Sequence, residues 1–591
     1  MVKGKGQIGL NIAERGKPTS GSFNYRSNAV EQWVRDLPLG NVGAMSKLLY
    51  TTLYEVNRLA ISWRERHQFL ELLREPIEYA QEQLQQRYLG SAFPLTPKAQ
   101  QITELAKTLA GEMALGYKTA IEEMLGSSFL SRDNKALSEL VHRAVFYLSR
   151  SLLVSYKTYS THARDCWFEL HMLYLHAEHK GIHTQQVRDK INKEQAKSSI
   201  ARVYKQILLL AMASPYRMRQ SEVSIVYNAL ARWAAHAHII PYNDPSAAEA
   251  LFVVHMDSDD APDFQAFNHR DCNTELCRLV DTRQLSHVLQ EERSYLDANG
   301  KGEGGLSAEL LYRLIGSWGI APKRSFSRNN TDATVEVIVG LSSLHNALAS
   351  ELGDAQQLRD KAQYQSKAVV AVSQPTRGDI WNRFAKDAME QQYNNFRQQQ
   401  AAPVDKKPQP VVSRQSWQIR NESAGGYRLA IEKYDSANVQ VGELLGLRPK
   451  HSDKTCEAGV IRWMRQPADG GLELGVQVLA PHMVPVLLRN NRLGGKATEY
   501  QPALLLPEIA TIGLPATLLC PIMLFDVGAE LQLHHPQYDL RIVLTERRET
   551  SGSFAQYGFE TRGEVAKSTP LKETPVSGGE SHGLSINWDE L

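Results

Sequence analysis

Apolar residues recur at helical spacing through the first two-fifths of the chain. Leu49, Leu53 and Val56 illustrate the pattern, in which apolar positions three or four residues apart line one face of a helix. Short polar breaks separate several such segments. Helices joined by short loops pack most simply as antiparallel neighbours, so we predict an α-helical bundle or a stack of helical repeats over residues 28–240.

The pattern changes after residue 245. A short apolar run, Leu251–Val254, predicts a strand, and an acidic loop and a further helical segment follow it. We therefore predict a small mixed α/β connecting region over residues 245–320. The β-branched run Thr334–Leu341 then predicts another strand. Residues 344–409 are mostly helical in pattern and end in a polar, proline-containing linker.

Alternating apolar positions dominate the C-terminal part. Ile419 precedes a glycine pair and Leu429 follows it, each within a period-two pattern, which predicts a strand, a tight turn and a second strand. Further short strands predict a small antiparallel β-barrel over residues 321–490, with a helical insertion at about 344–409. A similar succession of strands over residues 500–562 predicts a second barrel-like unit.

The predicted fold class is therefore α+β and multidomain, with an N-terminal α-helical bundle or repeat stack, a C-terminal antiparallel β-barrel and a second barrel-like β half. Residues 1–27 are polar and rich in Gly and Lys, and residues 563–591 are rich in Gly, Ser, Thr and Pro. Both segments are predicted to be disordered tails. The end of the second, Trp588–Leu591, is a candidate docking peptide.

Composition narrows the function. The net charge of +2 over 591 residues gives no support to a general nucleic-acid polymer binder. Five cysteines are scattered without a Cys-x-x-Cys pair, which favours reduced thiols in a cytoplasmic protein over a disulfide framework or a zinc site. Because no apolar stretch approaches the roughly 18 residues of a membrane span, no direct membrane insertion is expected.

Catalytic and metal chemistry find little support in the sequence. His176, His179 and His183 could share one helical face, either as metal ligands or as the wet side of an amphipathic helix. The second interpretation is favoured because no second ligand cluster of defined spacing accompanies them. The chain contains neither His-Glu-x-x-His nor Gly-Gly-Asp-Glu-Phe. We therefore predict no catalytic residues, no metal, no cofactor and no enzyme activity.

Two short motifs carry the functional signal. Arg324 and Arg328 form an Arg-x-x-x-Arg pair just before the predicted strand at 334–341. The Asn-x-Ser-x-x-Gly motif of residues 421–426 occupies the predicted turn. Each motif alone is weak, because arginine pairs occur by chance and Asn, Ser and Gly are ordinary turn residues. The functional interpretation is stronger for the two motifs together, because of their order along the chain and their positions between predicted strands.

This series resembles the PilZ domain, a small bacterial β-barrel that binds cyclic di-GMP, and the resemblance covers about residues 320–490. It implies a cyclic di-GMP receptor. Arginine can fork onto phosphate or onto a guanine edge, while Asn and Ser can hydrogen-bond a base and glycine lets the backbone approach closely. The ligand-binding residues implied by the resemblance are Arg324, Arg328, Asn421, Ser423, Gly425 and Gly426.

One departure from the family pattern is large, because the insertion at 344–409 separates the two motifs. An insertion can be absorbed if its ends lie close together, since loop-closure entropy grows slowly with length. The resemblance then requires the segment that carries Arg328 to fold back over the turn at 421–426. The alternative is that the arginines are unrelated surface residues and that the barrel is a degenerate scaffold that acts only through protein–protein contacts.

The layout of a helical region ahead of the barrel is similar to that of FimW-type receptors. This likeness implies regulation of pili, motility or surface attachment, with protein partners bound through the helical region. It also implies a cytoplasmic protein that can be recruited to a membrane-associated machine.

Overall fold

The structure is a computed structural model of the whole chain. It describes residues 8–126, 133–191, 196–245, 250–267, 273–299, 305–319, 327–363, 413–431, 437–449, 456–467, 470–490, 499–510 and 513–564. The chain forms two compact units. The first comprises residues 1–331, 420–441 and 461–476, and the second comprises residues 332–419, 442–460 and 477–591.

The predicted helical N-terminal region is confirmed. Its helices are α1 (Ser27–Arg35), α2 (Val42–Asn57), α3 (Trp63–Gln85), α4 (Pro97–Gly126), α5 (Asn134–Lys157), α6 (Cys166–His179), α7 (Ile200–Met212) and α8 (Gln220–Trp233), with a short hairpin, β1 (Val187–Arg188) and β2 (Lys197–Ser198), between α6 and α7. Side-chain caps start several of them: the backbone N–H of Glu65 donates to the Ser62 hydroxyl at the start of α3 (3.3 Å). Within the described part of the chain, no helix has the length and apolarity needed to cross a membrane.

The prediction of a disordered tail over residues 1–27 is wrong for residues 8–27. Ile8 and Leu10 are buried in the core of the helical region. The backbone N–H groups of Gly9 and Leu10 each donate to one carboxylate oxygen of Glu122 on α4, at 2.8 Å. A carboxylate removed from water needs donors, and this extended segment supplies them. Residues 1–7 lie outside the described residues.

Charged side chains are buried together in the middle of the helical region. Arg74 on α3 and Arg143 on α5 are each 2% exposed, and Asp189 after β1 is fully buried. The Asp189 carboxylate accepts hydrogen bonds from Arg74 Nη2 (2.8 Å) and Arg143 Nη1 (3.2 Å). Burial would raise the pKa of Asp189, but hydrogen bonding and the charges of both arginines lower it to about 2.

The connecting region forms a small antiparallel sheet and two helices. Its strands are β3 (His238–Pro241), β4 (Phe252–His255), β5 (Asp263–Phe264) and β6 (Cys277–Asp281) in the order β3-β6-β4-β5, followed by α9 (Arg283–Asn299) and α10 (Ala308–Gly319). Apolar side chains of this region share one core with the N-terminal helices. Trp318 on α10 is fully buried there, and its indole N–H donates to the Leu209 carbonyl of α7 (3.0 Å).

The first predicted barrel is confirmed. Its strands are β7 (Asn329–Asn330), β8 (Thr334–Val339), β9 (Arg414–Ser423), β10 (Gly426–Ile431), β11 (Leu444–Pro449), β12 (Glu457–Arg465) and β13 (Leu472–Ala480). The ring closes in the order β8-β9-β10-β13-β12-β11, and β7 extends it beside β9. Gly475 on β13 has no side chain because the indole of Trp463 on β12 occupies that space.

The predicted helical insertion begins as two helices, α11 (Leu341–Glu351) and α12 (Ala355–Gln363), and residues 364–412 lie outside the described residues. Arg414 at the start of β9 contacts Glu336 on β8 (3.0 Å) and Glu351 at the end of α11 (2.6 Å). The chain therefore leaves and re-enters the barrel at neighbouring points, as absorption of the insertion requires.

The second barrel is also confirmed, as a closed antiparallel ring. Its strands are β14 (Val484–Asn490), β15 (Gln501–Leu506), β16 (Thr517–Cys520), β17 (Glu530–His534), β18 (Asp539–Thr550) and β19 (Ala555–Glu564), in the order β14-β15-β16-β19-β18-β17. The predicted division at residue 490 is wrong for β14, which pairs with β15 and β17 and so belongs to the second ring. The predicted C-terminal tail, beyond residue 564, lies outside the described residues.

Replacement of Asp189 by asparagine should destabilise the helical region strongly. The Asp189→Asn protein keeps two buried guanidinium groups without the fully buried carboxylate that they share and leaves them the partly exposed Glu71, so its free energy of unfolding should fall by about 3 kcal/mol at pH 7. Urea-induced unfolding followed by far-ultraviolet circular dichroism measures the change. Asp297→Asn, at a carboxylate that is 55% exposed, is the matched control and should behave as the wild type.

The interaction of Asp189 with the two arginines also predicts how stability depends on pH. The pKa of Asp189 lies at about 2 in the folded chain against an ordinary value of 3.8. Its contribution to stability is therefore complete above pH 3.8 and is lost as the pH falls towards 2. Asp189→Asn should lack this component of acid destabilisation. Equal acid sensitivity of the two proteins in this range would contradict the assignment.

Candidate functional site

The turn between β9 and β10 presents most of the residues of the second motif together. Residues 424–425 form the turn, and the Ser423 hydroxyl donates to the Gly426 carbonyl across its mouth (3.2 Å). Gly426 is buried and has a φ of 145°, which favours glycine, whereas Gly425 does not have a positive φ. Asn421 and Ser423 are both partly exposed. Polar groups of the motif therefore line one accessible turn, the Asn421–Gly426 turn.

The lead-in segment lies directly against this turn. Asn329 is paired with Glu422, and Asn330 with Asn421, in antiparallel register. Arg328 directly precedes this paired segment and is exposed, and Ser423 directly follows Glu422. The lead-in segment therefore lies beside the end of β9, next to the turn. Arg324 lies outside the described residues.

The charges of two other arginines act on Arg217, which follows α7 in a short 3-10 turn. Burial lowers the pKa of Arg217, and the charges of Arg462 on β12 and of Arg328 lower it further. Arg217 nevertheless remains exposed to solvent. We call Arg217, Arg328 and Arg462 the arginine cluster. Like charges that act on one another favour an anion and disfavour a cation.

Backbone hydrogen bonds hold the helical region against this end of the barrel. Phe93 and Val439 exchange both of their N–H···O bonds, each at 2.9 Å. The backbone N–H of Gln466, at the end of β12, donates to the Tyr159 carbonyl (2.6 Å). The rings of Phe93 and Tyr159 meet edge to face with their centroids 4.9 Å apart. We call these contacts of Phe93 and Tyr159 the aromatic clasp.

A partly buried ion pair supports the strand after the turn. Arg428 on β10 donates from Nη2 to both carboxylate oxygens of Glu473 on β13, at 2.7 and 2.8 Å. The carboxylate of Glu473 thus neutralises the charge of Arg428 within the barrel wall. This separates the role of Arg428 from that of Arg328, whose side chain is exposed.

Sequence reasoning located the turn and the lead-in arginine but missed Arg217 and Arg462. Arg462 lies within a strand that the barrel prediction included, yet alternation alone does not distinguish it from any polar position. Arg217 is more than 100 residues from the lead-in arginine and belongs to no recognised motif. Only the tertiary contact between the helical region and β12 brings these residues together.

Metal binding gains no support from the arrangement. The His-rich helix α6 buries Trp167, Leu170 and Leu173, but the predicted wet face is wrong for two of the three histidines: His179 is exposed, whereas His176 and His183 are partly buried. Among the described residues, a group with suitably close ligand atoms is His67, Glu71 and Glu139. Glu71, however, accepts hydrogen bonds from Arg143 (3.0 Å) and Tyr117 (2.7 Å), so a guanidinium group already neutralises it. A nearby guanidinium also repels a metal cation.

Three family models match successive parts of the chain. The N-terminal domain of cyclic-di-GMP receptor FimW matches residues 28–244, and the middle PilZ domain of the same receptor matches residues 251–485. The FimW C-terminal beta-barrel domain matches residues 486–562, a range that includes almost all of β14. The matches thus follow the helical region, the first barrel and the second barrel in order.

A protein of Pseudomonas aeruginosa described as cyclic-di-GMP receptor FimW is similar along almost its whole length. The two sequences are 28% identical over 575 residues, which cover 93% of this chain and 92% of that protein. No solved structure gives a significant match. The three domain matches follow one another in order, and the similarity to the FimW receptor covers almost the whole chain. The two β-barrels behind a helical region agree with these matches. The chain therefore belongs to the FimW family of PilZ-domain proteins.

Proposed function

We propose that this protein is a bacterial receptor for cyclic di-GMP that binds the dinucleotide at the Asn421–Gly426 turn. The observation that supports the proposal is the pairing of Asn329 and Asn330 with the end of β9, and we propose that Arg328, which precedes Asn329, binds the ligand beside Ser423. Membership of the FimW family supports the choice of ligand, because the matching receptor and domain models are described as cyclic-di-GMP receptors.

The site residues divide by chemistry. Arg328, with Arg324 four residues upstream, offers planar donors to a phosphate or to the O6/N7 edge of guanine. Asn421 and Ser423 offer short hydrogen-bonding side chains at the turn, and Gly425 and Gly426 let the ligand approach the backbone. These groups suit a ligand that presents two phosphates and two guanines, and binding involves no cofactor and no catalytic residue.

The alternative is a degenerate barrel that serves only as a scaffold. It is less favoured because a scaffold does not require the segment that follows Arg328 to pair with the strand that carries the second motif. Under the proposal, the bound ligand changes how the helical region engages protein partners.

We further propose that the protein is cytoplasmic, is recruited to a membrane-associated machine and regulates pili, motility or surface attachment. Affinity capture with the whole chain, with and without cyclic di-GMP, should then recover partners in a ligand-dependent manner.

Arg328→Ala should weaken the binding of cyclic di-GMP by about ten- to a hundred-fold, because a charge-assisted hydrogen bond to phosphate contributes about 1.5–3 kcal/mol. Isothermal titration calorimetry on the full chain measures the dissociation constant. Arg562→Ala, at an arginine on β19 that is 65% exposed, is the matched control and should bind as the wild type. Absence of binding heat with the wild type would favour the scaffold, and equal affinities of Arg328→Ala and wild type would remove Arg328 from the site.

Two substitutions at Ser423 test whether its hydroxyl contributes to ligand binding. Ser423→Ala removes both the hydroxyl offered to the ligand and the bond to the Gly426 carbonyl, so affinity should fall by about five- to ten-fold. Ser423→Thr keeps the hydroxyl and should retain most of the wild-type affinity. The same calorimetry measures both, with circular dichroism as the check on folding. Wild-type affinity in Ser423→Ala would show that this hydroxyl does not contact the ligand.

A further inference from the structure

We propose that one side of helix α2 is a docking surface for a second copy of this chain, which pairs through the same helix in antiparallel orientation. We call this side the α2 face. Its exposed residues are Ala44, Lys47, Leu48, Thr51, Tyr54 and Glu55. The proposal concerns self-association, so it does not rest on the proposed ligand site.

Exposed apolar side chains are concentrated at this helix. Among the described residues before 245, four large apolar side chains are exposed, and three of them lie on α2 or in the loop before it: Leu39 (53%), Leu48 (42%) and Tyr54 (45%). The opposite side of α2 is already buried in the core, through residues such as Met45 and Leu49. Single exposed apolar residues are ordinary, whereas a group of them on a helix that is already packed marks an interaction surface.

The α2 face is complementary to itself when two copies of the helix run antiparallel. In an isologous pair with its two-fold axis at Thr51, residues equally far before and after Thr51 face each other. Lys47 then lies opposite Glu55 of the second copy, and Leu48 lies opposite its Tyr54. Each cation therefore meets an anion and each apolar side chain meets an aromatic ring, and the symmetry forms both contacts twice.

The centre of the face allows the two helices to approach each other. Ala44 and Thr51 are small, and the distance between packed helices depends on the size of the side chains at their contact. The Thr51 hydroxyl donates to the Lys47 carbonyl of its own helix (3.0 Å), so it needs no acceptor across the interface. Close packing at Thr51 therefore leaves no unsatisfied hydroxyl.

Two residues of the face are already held by neighbours. The guanidinium carbon of Arg58 lies 3.4 Å from the centroid of the Tyr54 ring. Glu55 Oε1 accepts a hydrogen bond from the backbone N–H of Phe23 (2.7 Å), and a carboxylate has further acceptor sites for a lysine. Because these side chains are positioned within one copy, less conformational entropy is lost when a second copy binds.

The test is sedimentation velocity of the full chain, without ligand, at about 1–100 μM. The wild type should change from monomer to dimer as its concentration rises. Lys47→Glu sets two carboxylates opposite each other and Glu55→Lys sets two ammonium groups opposite each other, so each should weaken dimerisation by about ten-fold. Lys98→Glu, the same change at an exposed lysine on α4, is the control and should dimerise as the wild type.

A mixture of the two charge variants tests the register. In a mixed pair the introduced carboxylate lies opposite the introduced ammonium group, and the native Lys47 lies opposite the native Glu55. The mixture should therefore dimerise about as well as the wild type, with circular dichroism of each variant as the check on folding. A monomeric wild type, unchanged dimerisation of both variants, or a mixture no better than its components would each overturn the proposal, and the first would leave the α2 face to a different protein.

Discussion

The candidate site depends on the aromatic clasp. Phe93 and Tyr159 come from different loops of the helical region, and their rings pack against each other. Their backbones bind separate parts of the barrel, one at Val439 after β10 and the other at Gln466 after β12. Backbone hydrogen bonds are short and directional, so this arrangement fixes both position and orientation. The 3-10 turn that carries Arg217 is attached to the same clasp, because the Tyr159 hydroxyl donates to the Met218 carbonyl (2.8 Å).

Charged side chains are arranged in opposite ways in the helical region and in the candidate site. Inside the helical region, Arg74 and Arg143 share the fully buried carboxylate of Asp189, so that positive and negative charge are removed from water together. In the arginine cluster, the positive charges of Arg462 and Arg328 act on Arg217. The first arrangement pairs opposite charges within the protein. The second brings charges of one sign together, which favours an anion over a cation there.

Much of the architecture was predictable because it follows from local patterns. Helical periodicity located the N-terminal helices, and period-two alternation around Gly425 and Gly426 located the hairpin that carries the turn. The motif order also predicted that the segment after Arg328 would meet the strand that carries Ser423, and Asn329 and Asn330 do pair with that strand, although periodicity gives no reason for it. These features depend on residues close together in sequence or on a resemblance to a known family.

The features that could not be predicted depend on which element packs against which. The strand at 484–490 is apolar on both faces, so its pattern fits either barrel, and only its pairing with β15 and β17 decides the matter. The segment at 8–27 has a polar composition, but its backbone N–H groups serve the buried Glu122. Arg217 has an unremarkable local sequence. Its neighbours come from tertiary contacts more than 100 residues away in the chain.

The contact of Arg414 with Glu336 and Glu351 has a consequence for protein engineering. It brings the start of β9 beside β8 and the end of α11, so that the ring of strands is complete without residues 364–412. Helix α11 must remain, because Leu344 and Leu348 belong to a packed core with both barrels' strands. A reporter domain inserted after α12 would therefore enter the chain between two points that the barrel itself holds together, and it would replace no strand of the ring.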